Sequence, residues 1–170
     1  PQALTTIVPA ITASDYYDGW TYQGGALEWG FTVSWSLGQL TLANLAKIFR
    51  DRPVHLDTTN RLVNAITHID ESLQTLPTME FPHLKDGLAP YFYDWLHHPT
   101  LDAYWKRWRV EDYYGTITVP ALNVGGWFDI FLKGTLRNFQ GMQNKGPTEM
   151  AREGQKLIIG PWSHTAVGLD

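Results

Sequence analysis

The sequence contains no cysteine, so disulfides, thiolate nucleophiles and cysteine-ligated zinc are excluded outright. Charge is sparse as well. Asp, Glu, Lys and Arg make up 18% of the 170 residues, and 13 basic against 17 acidic side chains leave a formal net charge of −4. No stretch is strongly basic, which disfavours a nucleic-acid binder, because that class needs a surface that neutralises phosphates. No apolar run approaches the roughly 20 residues that span a bilayer, so no membrane partner is expected. No signal peptide opens the chain, which fits a cytoplasmic location without fixing the compartment. Glycine fingerprints for nucleotides are missing too: Gly24-Gly25 and Gly125-Gly126 match neither known pattern, and no cofactor is expected. No metal is expected either, since His97-His98 and the pair His55 and Asp57 lack a third ligand at convincing spacing. The chain begins Pro1-Gln2-Ala3-Leu4, without Met and without a helix or strand signal, and is expected to be a piece of something longer.

What is present in excess is aromatic: 8 Trp, 8 Tyr and 7 Phe, 14% of the chain. Aromatic rings supply large buried areas and also line apolar ligand pockets. With 44% hydrophobic residues the chain is not a disordered tail.

Three zones separate by pattern. Leu4-Thr5-Thr6-Ile7-Val8-Pro9-Ala10-Ile11 reads as a buried strand whose ladder ends or bulges at Pro9. From Asp15 to Tyr114 the periodicity is helical and often broken by Pro and Gly. Trp35, Leu37, Leu40, Leu42, Leu45, Ile48 and Phe49 fall near helical spacing. Asp57-Thr58-Thr59-Asn60 then offers capping residues before Leu62, Val63, Ile66 and Ile69. Two short helices, 91–96 and 101–105, flank His98-Pro99, and no strand alternation is visible in this zone. After Gly115 the pattern becomes strand (117–124), helix (around Phe131 to Phe139) and strand (155–160), the unit of a parallel sheet. The expected architecture is α/β: residues 1–14 and 115–170 form part of a sheet, and residues 15–114 form an inserted, mainly helical cap.

In an open parallel sheet, reactive side chains collect in the loops beyond the carboxyl ends of strands. Two such loops carry titratable residues here: Gly125-Gly126-Trp127-Phe128-Asp129 and Gly160-Pro161-Trp162-Ser163-His164. An Asp followed by a His across one helix and one strand fits the α/β-hydrolase order of nucleophile, acid, base. On strand grammar alone the plainer reading is preferred, an Asp capping the next helix and a His packed beside Trp162. No nucleophile elbow exists among Ser14, Ser34, Ser36, Ser72 and Ser163, because none has Gly two positions away on both sides; Ser36 has Gly38 after it but Ser34 before it, in a helical pattern without a preceding strand. Asp15, Asp18 and Glu28 among Tyr16, Tyr17, Trp20 and Tyr22 could form a carbohydrate site with two carboxylates, but a polar loop beside packed aromatics is favoured.

The runs Val119-Pro120-Ala121-Leu122-Asn123-Val124-Gly125-Gly126-Trp127-Phe128-Asp129 and Leu157-Ile158-Ile159-Gly160-Pro161-Trp162-Ser163-His164 resemble the CocE/NonD hydrolases of the X-Pro dipeptidyl-peptidase (S15) superfamily. This superfamily includes acyl esterases, α-amino-acid ester hydrolases and glutaryl acylases. Ile7-Val8-Pro9-Ala10 followed by Gly24-Gly25-Ala26-Leu27 resembles the strand that leaves the nucleophile helix and enters the helical cap. The resemblance spans essentially the whole chain and raises the Asp129/His164 pair above the plainer reading. It implies an α/β-hydrolase fold and a serine hydrolase cleaving ester, amide or X-Pro peptide bonds through an acyl-enzyme. Asp129 would be the triad acid and His164 the general base. Trp20, Trp35, Trp127, Phe131 and Trp162 would contact substrate, and the serine would lie outside this chain. A non-catalytic, aromatic-lined ligand-binding module is the alternative from a different class.

A sheet lacking its remaining strands exposes an edge and an apolar face, which invites pairing. The isolated chain is therefore expected to self-associate or to bind the missing part of its parent. Light scattering checks this, and a monodisperse monomer would contradict it.

Overall fold

The computed structural model describes residues 3–51, 53 and 56–165. After residue 115, β1 (Leu122–Phe128) is followed by α4 (Leu132–Lys145), the short helix α5 (Glu149–Glu153) and β2 (Lys156–Ser163); α1 (Trp29–Trp35), α2 (Leu56–Thr67) and α3 (Pro90–His97) fall earlier in the chain. β1 and β2 run parallel, with Leu122 opposite Lys156 and Gly126 opposite Gly160. On the other side of β1, the segment around Ile7–Ile11 lies parallel to it. Ile7 bridges to Ala121 and Ala10 to Val124. The Leu122 N–H donates to the Ile7 carbonyl at 3.0 Å, and the Ile11 N–H donates to the Val124 carbonyl at 2.8 Å. Three parallel extended segments with a helical crossover make this part of the chain α/β. The strand expected at 4–11 survives only as these two bridges, because Pro9 has no N–H to extend the ladder. The strand expected at 117–124 is shifted towards its carboxyl end, since Tyr114–Thr116 is a 3-10 turn and Pro120 precedes the ladder.

α4 packs on β1 through a partly polar face. Gly134, Thr135, Asn138 and Met142 are buried. The Tyr114 hydroxyl donates to Asn138 Oδ1 at 2.8 Å, and the Asn138 amide donates to the Ala13 carbonyl at 3.4 Å. A Cβ at Gly134 would strike the backbone of Ala13 and Ser14, so this helix approaches the first segment as closely as a side-chain-free residue permits. Tyr17, Tyr22 and Trp105 form a second buried nucleus, with Tyr17 stacked on Tyr22 at 4.8 Å and 5.7 Å from Trp105.

Contacts divide the chain into two compact units, Pro1–Gly24 with Thr100–Asp170, and Gly25–Pro99. Gly24 and Gly25, where the chain passes from the first to the second, both have positive φ (58° and 88°), a region glycine enters freely. Two-residue strands at Tyr22–Gln23 and Ala26–Leu27 flank them, too short to leave an alternating pattern in the sequence.

The unit Gly25–Pro99 is helical. It begins with α1 (Trp29–Trp35), which continues as a π-helix (Ser36–Thr41) and a 3-10 turn (Leu42–Asn44) into Leu45–Ile48. α2 (Leu56–Thr67) and α3 (Pro90–His97) follow, α3 opening with Pro at its first turn, where a missing N–H costs nothing. Pairs at i and i+3 or i+4 point inward from each helix: Val33 with Leu37, Leu62 with Ala65, Phe92 with Leu96. They meet Phe81, Leu84 and Leu88 of the intervening loop. Trp29 stands edge-on to Phe81 at 5.6 Å and donates its indole N–H to the Leu73 carbonyl at 2.9 Å. Much of the aromatic excess is therefore core. Among the described residues no helix is long and apolar enough to cross a membrane.

Phe92 is fully buried in this core whereas Val63, on the outer face of α2, is exposed. Phe92→Ala is expected to cost about 3–5 kcal/mol, and Val63→Ala within about 0.5 kcal/mol of nothing. Urea denaturation of the two variants checks the contrast.

Candidate active site

Asp129 follows β1 directly and precedes α4, in a turn closed by its own backbone. The Asp129 N–H donates to the Gly126 carbonyl at 3.2 Å, and the Leu132 N–H donates to the Asp129 carbonyl at 3.1 Å. The two carboxylate oxygens have separate tasks. Oδ1 accepts the Phe131 N–H at 2.6 Å, an Asx-type turn that fixes the carboxylate at the amino end of a helix, where negative charge is favoured. Oδ2 is left for His164, whose Nδ1–H donates to it at 3.3 Å. The Asp129 side chain is 0% exposed and that of His164 39%. With Nδ1 committed to the acid, Nε2 is the ring nitrogen available to a reacting group.

A one-residue slip in the sheet produces this meeting. Gly126 pairs with Gly160, but Phe128 pairs with Ser163. Two residues on β1 thus match three on β2, a bulge at Pro161-Trp162. Continued without the extra residue, the register would set Ser163 level with Asp129; with it, His164 takes that place. The Trp162 ring lies across Gly160, where a Cβ would strike it, and the Trp162 carbonyl occupies the space a Cβ on Gly126 would need.

Rings continue outward from His164. Phe131 stands edge-on to the imidazole with centroids 5.1 Å apart. Trp20 stands edge-on to Phe131 at 5.4 Å, and Tyr16 tilts against Trp20 at 4.3 Å. The structure thus brings together Asp129, His164, Phe131 and Trp20. Trp162 folds back on the glycines. Trp127 is 60% exposed, next to Phe128 at 74%. Trp35 belongs to the helical unit, where its ring stacks on Phe31 at 5.5 Å.

The loop carrying Trp20 is anchored by the cations Lys133, Arg137 and Arg109, which lie far from it in the sequence. Lys133 and Arg137, one turn apart on α4, donate to Asp18 Oδ2 at 2.8 and 3.3 Å, and the Gly24 N–H donates to Oδ1 at 3.2 Å. Asp15 pairs with Arg109 at 2.8 Å and accepts the Tyr17 N–H at 2.8 Å. Arg109 also meets Glu111 and Asp112, and Glu111 accepts from Arg137 and from the Ser14 hydroxyl. Asp15 and Asp18 are therefore tied by cations and backbone amides, and are not a pair of carboxylates facing a groove. The i, i+4 spacing of Lys133 and Arg137 is the signal that could have pointed to this anchor.

Three of the serines bond to other groups: Ser14 to Glu111, Ser34 to the Gly30 carbonyl and Ser72 to the Ala65 carbonyl. Ser36 is fully buried in the π-helix. His97 Nδ1 lies 2.7 Å from the Tyr93 carbonyl, and His55 lies outside the described residues.

The comparisons with known proteins point in one direction. A family model for X-Pro dipeptidyl-peptidase (S15 family) matches residues 1–166. Cocaine esterase of Rhodococcus sp. (strain MB1 Bresler) is 27% identical over 168 residues, 95% of this chain and 27% of that protein. The chain thus spans about a quarter of that relative's length.

The hydrogen bond from Lys133 holds the Asp18 carboxyl below its ordinary value, against an opposing push from burial, with Gly24 and Arg137 adding to the lowering. A depressed carboxyl stabilises the fold above its unfolded pKa and loses that contribution as pH falls through the folded value. The stability gap between the native chain and Asp18→Asn is therefore expected to be at most about 1 kcal/mol, because the pairs are partly exposed. The gap should be constant above about pH 5 and shrink as pH falls below the ordinary carboxylate range. Thermal melts across that range check it.

Proposed function

Since this chain belongs to the X-Pro dipeptidyl-peptidase (S15) family, we propose that it carries the acid, the base and part of the acyl pocket of a serine hydrolase acting on ester or amide bonds. The observation that carries the reading is the contact of His164 Nδ1 with the buried Asp129 carboxylate. Asp129 holds the imidazole in the tautomer with the proton on Nδ1 and stabilises the imidazolium once formed. Nε2 then takes the nucleophile's proton as the acyl-enzyme forms and returns it to the leaving group. Burial of Asp129 strengthens this coupling, because no water competes for Oδ2.

The nucleophile comes from residues outside this sequence, a proposal supported by the absence of a Gly-x-Ser-x-Gly elbow in it. Phe131 and Trp20, the rings that step outward from His164, are proposed to wall the acyl group. The helical unit with Trp35 is proposed as the family's cap, and the exposed Trp127 as a further substrate contact. Apolar walls would favour apolar acyl groups and keep water from the developing oxyanion. Among the described residues an unshared sheet edge remains along β2, where Ile158 is exposed, and at the opposite edge of the sheet Val8 and Leu4 of the first segment are exposed as well. These edges are proposed to pair with another chain or with the rest of the parent.

A second reading, a non-catalytic ligand module, has one observation in its favour. An open groove of about 260 Å³ is lined by Tyr16, Arg107, Trp108, Arg109, Val110 and Tyr113.

The hydrolase reading is tested with p-nitrophenyl esters and X-Pro anilides. A longer chain that supplies the serine elbow should turn over at least one of these substrates. Asp129→Asn or His164→Gln should lower its kcat by about 10³–10⁴-fold. The 170-residue chain by itself should show no serine-inhibitor-sensitive turnover. Activity indifferent to both substitutions would sink the reading and favour the ligand module.

A further inference from the structure

We infer that Trp162 is a positioning residue for His164: its side chain locks the bulge that sets the imidazole level with the acid. The inference rests on the acid–base reading of Asp129 and His164. It is argued from the sheet, not from substrate contact.

A parallel ladder in regular register pairs residues one for one, and up to Gly126 and Gly160 this one does so. The step to Phe128 and Ser163 then absorbs one additional residue on β2. A bulge removes ladder hydrogen bonds and needs something to hold it. Pro161 supplies part of the cause, since it has no N–H to donate to the ladder. Trp162 supplies the rest. Its ring is folded back over Gly160, and its carbonyl and ring edge press on Gly126, the register partner of Gly160. Both members of one cross-strand pair are thus glycine for the same reason: any side chain at either would displace Trp162. The indole N–H is buried without a hydrogen-bond partner, a cost that packing of the ring against the two glycines must offset. Two residues further on, His164 meets Asp129 and Phe131. A smaller side chain at 162 would free the strand to close up, which puts Ser163 opposite the acid.

NMR of the 170-residue chain reads both ends of this claim: amide protection along the sheet, and the nitrogen shifts of the His164 ring. Trp162→Leu should keep protection along Leu122–Gly126 and Lys156–Gly160, while protection at Phe128 and Ser163 falls by about tenfold or more. The His164 nitrogen shifts should move to those of Asp129→Asn. Trp162→Phe, which keeps a flat ring over Gly160, should stay close to the native chain. Gly160→Ala, which pushes the ring away without touching it chemically, should reproduce the loss. Native protection and native His164 shifts in both Trp162→Leu and Gly160→Ala would overturn the proposal. Should Trp162→Leu lose the whole ladder, Gly160→Ala decides. If Asp129→Asn leaves the native His164 shifts unmoved, the acid–base reading fails, and protection at Phe128 and Ser163 still judges the role of Trp162.

Discussion

The geometry of this site depends on the register between two parallel strands. Asp129 is fixed to β1 by its own turn and His164 to the end of β2, so neither side chain can search for the other. Their meeting is decided upstream, where Gly126 and Gly160 face each other and Trp162 covers both. The cost of that arrangement, a lost stretch of ladder and an indole N–H without a partner, falls next to the candidate chemistry. Bulges beside active sites commonly redirect a side chain in this way.

A second layer of order lies in the division of labour between charges. The carboxylate in the sheet is held by a backbone amide and an imidazole. The carboxylates in the loop before it are held by Lys133, Arg137 and Arg109. A guanidinium beside Asp129 would compete with the imidazole for the same oxygen. The same cations, set one helical face away, instead fasten the loop whose Trp20 meets Phe131. Packing carries the remaining positional information, from Gly134 against the backbone at Ala13 to Asn138 between Tyr114 and the Ala13 carbonyl.

Much of this was legible in the residues. The strand–helix–strand unit after Gly115, the helical run from Trp35 and the short helices around His98-Pro99 follow from periodicity and from Pro and Gly. Asp129 and His164 were legible as strand-end residues, and the resemblance of the two motifs to a hydrolase family singled them out. What stayed hidden was whatever depends on distance in sequence. Nothing local to Asp18 announces Lys133, 115 residues later. The extra residue at Pro161-Trp162 is invisible until the partner strand is known, because a bulge is a property of two strands together. The aromatic composition also misdirected: Trp29 and Trp105 are core, and their number says little about a pocket.

The bulge has one more consequence. Side-chain packing tolerates gradual change, since a methyl lost or gained moves a neighbour by tenths of an ångström. Strand pairing does not, because residues are counted in whole numbers and each step reverses which face they point to. Two side chains brought together by counting behave like a latch with two settings: substitutions around it either leave the contact whole or abolish it, with few grades between.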